Sequence, residues 1–199
     1  MNTLLARTVV IAAAVTALAR PATAQDEVRK LFEAGKYQEV VERTKDDGAP
    51  EARYLKAQAH RKLDQNDQAK EAFGKLSESG EAWQAVGQSG IALVDGNADD
   101  AVKAARTAVE KDGGLAQGQF QLGQALDAKG ENAEAAEAFA KAAESAPQMA
   151  YAHYQAGMSF YKAKRIDKLA VYSETFLKLA PNAPEKPAVQ SIMRTVRGR

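Results

Sequence analysis

Between Ala116 and Met149, apolar residues recur at helical spacing. Leu122 and Leu126 lie on one run, Ala135, Phe139 and Ala142 on the next, and Gly130 stands between them. Apolar positions three and four residues apart give a helix one buried face, and an intervening glycine marks a turn. The stretch therefore predicts two helices back to back. The unit then returns. Gly96 to Gly130, Ala101 to Ala135, Gly123 to Gly157 and Pro147 to Pro181 are each separated by 34 residues. A period of this size predicts an array of helix pairs, because one pair cannot bury its own apolar face and must stack on its neighbours.

The same reading extends in both directions. Residues 25–49 form a short pair, with Val28, Leu31 and Phe32 before Gly35 and Tyr37, Val40 and Val41 after it. Residues 50–79 carry Leu55, Ala59, Leu63, Ala69, Phe73 and Leu76, with a turn at Asp64–Asp67. Ala69 to Ala101 is 32 residues, two short of the period, and the shortening is placed at Ser77–Gly80. Residues 82–115 contain Gly87 and Gly90 inside the first helix, each costing about 1 kcal/mol relative to Ala. This pair is either a hinge or simply a poor helix. Residues 116–149 and 150–183 complete the array. In the fifth pair Leu169, Ser173 and Phe176 replace Ala, Phe and Ala. Beyond Pro184 and Pro187, Val189, Ile192, Met193 and Val196 predict a helix within 184–199 that covers the last open face and ends in a basic tail.

Residues 1–24 have a different plan. Arg7 precedes the apolar run Thr8–Leu18, and Ala22-Thr23-Ala24 offers small residues at a cleavage position. This is the layout of a secretory signal peptide. Its 11-residue apolar run is shorter than the ~20 residues a spanning helix needs. The expectation is cleavage after Ala24, export to a bacterial periplasm and no stable membrane insertion. The other reading is a retained N-terminal anchor. No cysteine is present, so neither a lipidated Cys nor a disulfide framework is available. Charge is balanced at 27 Lys and Arg against 26 Asp and Glu, which gives no reason to expect nucleic acid.

The repeat unit resembles the tetratricopeptide repeat family, whose pattern is W-x2-L-G-x2-Y, A-x3-F and P over 34 residues. The fourth pair supplies Leu122-Gly123, Leu126, Ala135, Phe139 and Pro147, with Gln119 in the Trp position. The fifth supplies Ala156-Gly157, Phe160 and Pro181. The second supplies Ala57, Ala69 and Phe73, and the third Ser89, Ala101 and Ala108. The resemblance spans residues 26 to 183. It implies an all-α, right-handed α-solenoid of about five helix pairs with a C-terminal capping helix. Ala57, Ser89, Gly123 and Gly157 then form a column of small residues that lets helices approach to about 8 Å. Phe73 and Phe139 are expected to fill holes in the neighbouring unit.

No catalytic constellation accompanies this plan. His60 and His153, the two histidines, lie in different repeats and are expected to be packing residues on first helices. No H-E-x-x-H, G-x-S-x-G or phosphate loop is present. The acidic pairs at turns suit helix capping and solvation better than a metal. Neither enzyme activity, nor a cofactor, nor a bound metal is expected.

The resemblance implies instead a concave groove lined by first helices. Its positions are Tyr54, Gln58 and Arg61, with Lys62 beside them; Trp83 and Val86; Gln117, Phe120, Gln121 and Gln124; and Tyr151, Tyr154, Met158 and Tyr161, with Gln155. Phe120 and Tyr154, and to a lesser extent Tyr151 and Tyr161, are open to the alternative of packing between first helices. Aromatic and amide side chains suit a protein or peptide partner through apolar anchors and adaptable hydrogen bonds. The cationic clamp with which chaperone-binding members hold a C-terminal carboxylate is absent at the matching places. The expected function is a non-enzymatic interaction scaffold of the cell envelope. The alternatives are self-assembly into a homo-oligomer, or an accessory role in an envelope assembly, secretion or cell-division complex. A membrane-surface role for Arg194, Arg197 and Arg199 would be weak, at about 1 kcal/mol per charge.

Overall fold

Successive helices pack on one another along the chain, each against the next. The computed structural model describes residues 24–198. The pairs are α1 (Ala24–Glu33) with α2 (Tyr37–Arg43), α3 (Pro50–Lys62) with α4 (Asn66–Gly74), and α5 (Glu81–Val94) with α6 (Ala98–Lys111). Next come α7 (Ala116–Ala128) with α8 (Asn132–Ser145) and α9 (Ala150–Lys162) with α10 (Ile166–Leu179). The last helix is α11 (Lys186–Arg197). The architecture is the all-α solenoid of five helix pairs and a closing helix. The signal segment expected for residues 1–24 lies outside the described residues except for Ala24, which begins α1.

The turn inside every pair is built the same way. Gly35, Asp64, Gly96, Gly130 and Lys164 all have φ between 58° and 79°. In each case the following amide reaches back over the turn: Lys36 to Leu31, Gln65 to His60, Asn97 to Ala92, Glu131 to Leu126 and Arg165 to Phe160. These are Schellman closures, which satisfy carbonyls that the helix end leaves bare. Three of the five positions hold glycine, which adopts this backbone without a Cβ clash. The missing two residues of the second pair appear as a short α4 continued by a 3₁₀ turn, Lys75–Ser79, before Gly80 redirects the chain.

Close packing accounts for the glycines of α5. A Cβ on Gly90 would lie 2.5 Å from the Phe73 ring, and one on Gly87 would collide with the Phe73 carbonyl. Phe73 thus fills a hole in the neighbouring pair. Phe139 does not. It lies against Gly123 of its own pair, where a Cβ would come within 2.6 Å of the ring, and against Phe120 at 5.2 Å between centroids. The repeat pattern places Phe139 in a hole of the neighbouring unit; the hole it fills here is the one that Gly123 leaves within its own pair.

The main core runs continuously from Val28 in α1 to Phe160 in α9. A smaller cluster, with Phe176, Ala180, Val189 and Met193, seats α11 against the fifth pair.

Candidate functional site

The inner side of the array is lined by first helices, and two of them meet across a gap in sequence. Tyr54 and Gln58 of α3 touch Gln121 and Gln124 of α7. The Tyr54 hydroxyl donates to Gln121 Oε1 (3.2 Å). Gln58 Nε2 lies 2.8 Å from the Tyr54 oxygen, 3.0 Å from Gln121 Oε1 and 3.2 Å from Gln124 Oε1. Arg61, one turn further along α3, donates to Gln58 Oε1 (3.2 Å) and Gln124 Oε1 (3.4 Å). Spacing of three and four residues puts Tyr54, Gln58 and Arg61 on one helix face. Burial pushes the Tyr54 phenol far above its ordinary range and lowers the Arg61 guanidinium.

This polar ladder forms one side of a cavity of about 500 Å³. That volume falls within the range of ligand sites. Seven of the groove positions come together in it: Tyr54, Gln58, Arg61, Gln117, Phe120, Gln124 and Tyr151. Lys62 and Gln155 line it as well. The remaining positions do not. Gln121 is 0% exposed and supports the ladder from behind. Val86 is also 0% exposed, so its methyl groups belong to the core and offer no surface to a partner. Trp83 packs near Tyr54, with ring centroids 6.3 Å apart. Tyr154 leans on Phe176 at 5.1 Å, and Met158 packs beside the smaller core cluster. Tyr161 stands 40% exposed.

The opposite wall is α1, which the groove assignment leaves out. Val28, Arg29, Phe32 and Glu33 face the cavity. The first pair bends across the concave side and reaches the end of the array. Phe32 meets Tyr151 edge-on at 5.3 Å. Glu33 Oε1 accepts the backbone N–H of Ala150 at 3.1 Å. Tyr37 and Tyr151 hydroxyls are 3.1 Å apart, and Tyr151 donates to Glu185 at 2.7 Å. Lys62 stands 3.7 Å from Glu185 and 5.3 Å above the Tyr151 ring. Gly35 lies so close to Pro184 that a Cβ would come within 2.7 Å of it. Burial, against the opposing pull of the Ala150 N–H and Arg29, raises the Glu33 carboxyl to about 7. The stripe Val28–Leu31–Phe32 was the available signal for α1, but a stripe does not say which helix it will meet.

His60 and His153 are buried packing residues. His60 Nδ1 bonds Gln65 at 2.7 Å, and His153 Nε2 bonds the Pro147 carbonyl at 3.0 Å. Among the described residues no group of three or more His, Asp or Glu is placed to hold a metal. Nor is any described helix long and apolar enough to cross a membrane.

Comparison with known proteins agrees with this fold. Models of the tetratricopeptide repeat match residues 50–79, 91–150 and 120–184, together more than half of the chain. No curated protein matches significantly. Among solved structures the chain is similar to TTC0263, a thermophilic TPR protein of Thermus thermophilus. The identity is 15% and the TM-score 0.61, over 88% of this chain and 98% of that one. It is also similar to YrrB, a TPR protein described as having an unusual peptide-binding site. There the identity is 18% and the TM-score 0.53, over 84% of this chain and 90% of that one.

Proposed function

The chain belongs to the tetratricopeptide repeat family, and we propose that it is a non-enzymatic interaction scaffold of the cell envelope. The partner is a protein or peptide segment held on the inner wall between α1, α3, α7 and α9. One observation carries the reading. Aromatic and amide side chains from three separate repeats converge with α1 on a single cavity of ligand size. Apolar anchors from Phe32 and Phe120 and hydrogen-bonding groups from Gln117, Gln124 and Gln155 are what an adaptable peptide site uses. The likeness to YrrB contributes the fold alone. Export is supported by the charge, apolar run and small residues of positions 1–24.

A photo-crosslinking residue at Gln117, on the cavity wall, is compared in living cells with one at Lys103, exposed on α6. A partner joined at 117 and absent at 103 is expected. Crosslinks at 103 alone, or at neither position, would overturn the site. Release of the protein by osmotic shock, with a mature N-terminus at Gln25, tests export. Retention of residues 1–24 in the mature protein would remove the periplasmic assignment.

A further inference from the structure

We infer that the cavity between α1, α3 and α7 binds the carboxylate of a ligand with an apolar body, with Arg61 as its counter-ion. The inference deepens the scaffold reading and rests on this cavity being the binding site. Arg61 is partly withdrawn from water, yet its guanidinium meets only two neutral amide oxygens, at 3.2 and 3.4 Å. Among the described residues no carboxylate forms an ion pair with it, and burial keeps the neighbouring Tyr54 phenol in its neutral form. A partly desolvated cation left with neutral partners gains from an anion beside it.

The carboxylates that share the cavity are engaged or distant. Glu33 takes the Ala150 N–H and lies 3.9 Å from Arg29. Asp47 takes the Ala49 N–H at 2.8 Å. Glu51 stands in the first turn of α3, ten residues before Arg61, which is about 15 Å along a helix. The other cations are answered: Arg29 by Asp26 at 2.6 Å and Lys62 by Glu185. The cavity is therefore polarised along α3, acidic at Asp47 and Glu51 and cationic at Arg61. Between the two ends Val28, Phe32, Leu55, Phe120 and Met149 supply apolar wall. An arginine fork suits a carboxylate, which can accept two parallel N–H bonds.

Two sources share this chemistry, an acyl chain and the apolar end of a peptide. Calorimetric titration of the purified protein with octanoate, and separately with N-acetyl-trileucine, distinguishes them. Binding of either probe is expected, with 1-octanol and the trileucine amide at least about tenfold weaker, as the loss of a charged hydrogen bond requires. Arg61→Gln is expected to reduce binding by a similar factor, and Glu51→Gln to leave it in place. Because the alcohol and amide are compared on the unaltered protein, the result does not depend on the variants folding. Octanoate alone binding assigns an acyl source; the peptide alone, or both, assigns a peptide end. Binding of neither acid, or equal binding of acid and neutral analogue, would overturn the inference. Crosslinking at 117 needs no carboxylate, so it would still stand in that case.

Discussion

The ring of Phe139 occupies the space that a side chain on Gly123 would need, with a Cβ there falling 2.6 Å from the ring carbon. The ring is 1% exposed and packs edge-on against Phe120, so it has nowhere to retreat. Gly123→Leu is expected to destabilise the fold by about 1–3 kcal/mol through overpacking. A thermal melt checks this, and an unchanged midpoint would contradict the packing described.

Tyr151 ties the two ends of the array together. Its hydroxyl donates to Glu185 and meets Tyr37, and its ring packs on Phe32. Tyr151→Phe keeps the ring and removes the hydroxyl donor to the half-buried Glu185 carboxylate, which is left with the Lys62 ammonium at 3.7 Å. Losing a hydrogen bond to a charged group costs about 1–3 kcal/mol. The loss should be local. Amide exchange in α1 and α2 is expected to accelerate while α7 and α8 stay protected. Uniform acceleration would mean that the closure is not a separable unit.

Glu33 makes that same closure sensitive to pH. Burial raises its carboxyl from 4.5 to about 7, so the native state favours the protonated form. The stabilisation from this raised value is fully present below about pH 4.5, is lost as pH rises through about 7, and is constant above that. Melting midpoints of the wild type and Glu33→Gln, measured from pH 4.5 to 8, should diverge. The wild type should lose stability relative to the variant up to about pH 7. Parallel curves would show that Glu33 titrates normally.

Lys164 holds the left-handed turn between α9 and α10 at φ 61°, where the second, third and fourth pairs use Asp64, Gly96 and Gly130. A non-glycine residue pays for this backbone with a Cβ clash. Lys164→Gly is expected to stabilise by up to about 1 kcal/mol, somewhat offset by the greater freedom of glycine in the unfolded chain. Urea denaturation reads the change. A lowered midpoint would point to a role for the Lys164 side chain beyond its backbone.

Much of the fold is legible in the amino-acid sequence, because its signals are local. Gly35, Gly96 and Gly130 announce their turns by residue type. Asp64 opens the polar turn Asp64–Asp67, whereas Lys164 occupies the same backbone state with no turn residue to announce it, and only the repeat period points to it. Val86 shows the opposite limit. Its place on a first helix suits the groove, but the tight packing around α5 buries it completely. Gly87 and Gly90 read as weak points of a helix and are instead the holes that seat Phe73.

The sequence by itself determined the helix pairs, their order and the face each presents, since hydrophobic period and turn residues act within a few positions of one another. Only the tertiary structure decided how far the array curls. Contacts between Phe32 and Tyr151, or Gln58 and Gln121, join residues 119 and 63 apart in the chain. Their distance is the sum of many small rotations between stacked pairs, and no single stretch of sequence encodes it. That curl brings α1 across the groove, encloses the cavity, and leaves Arg61 facing it without a carboxylate.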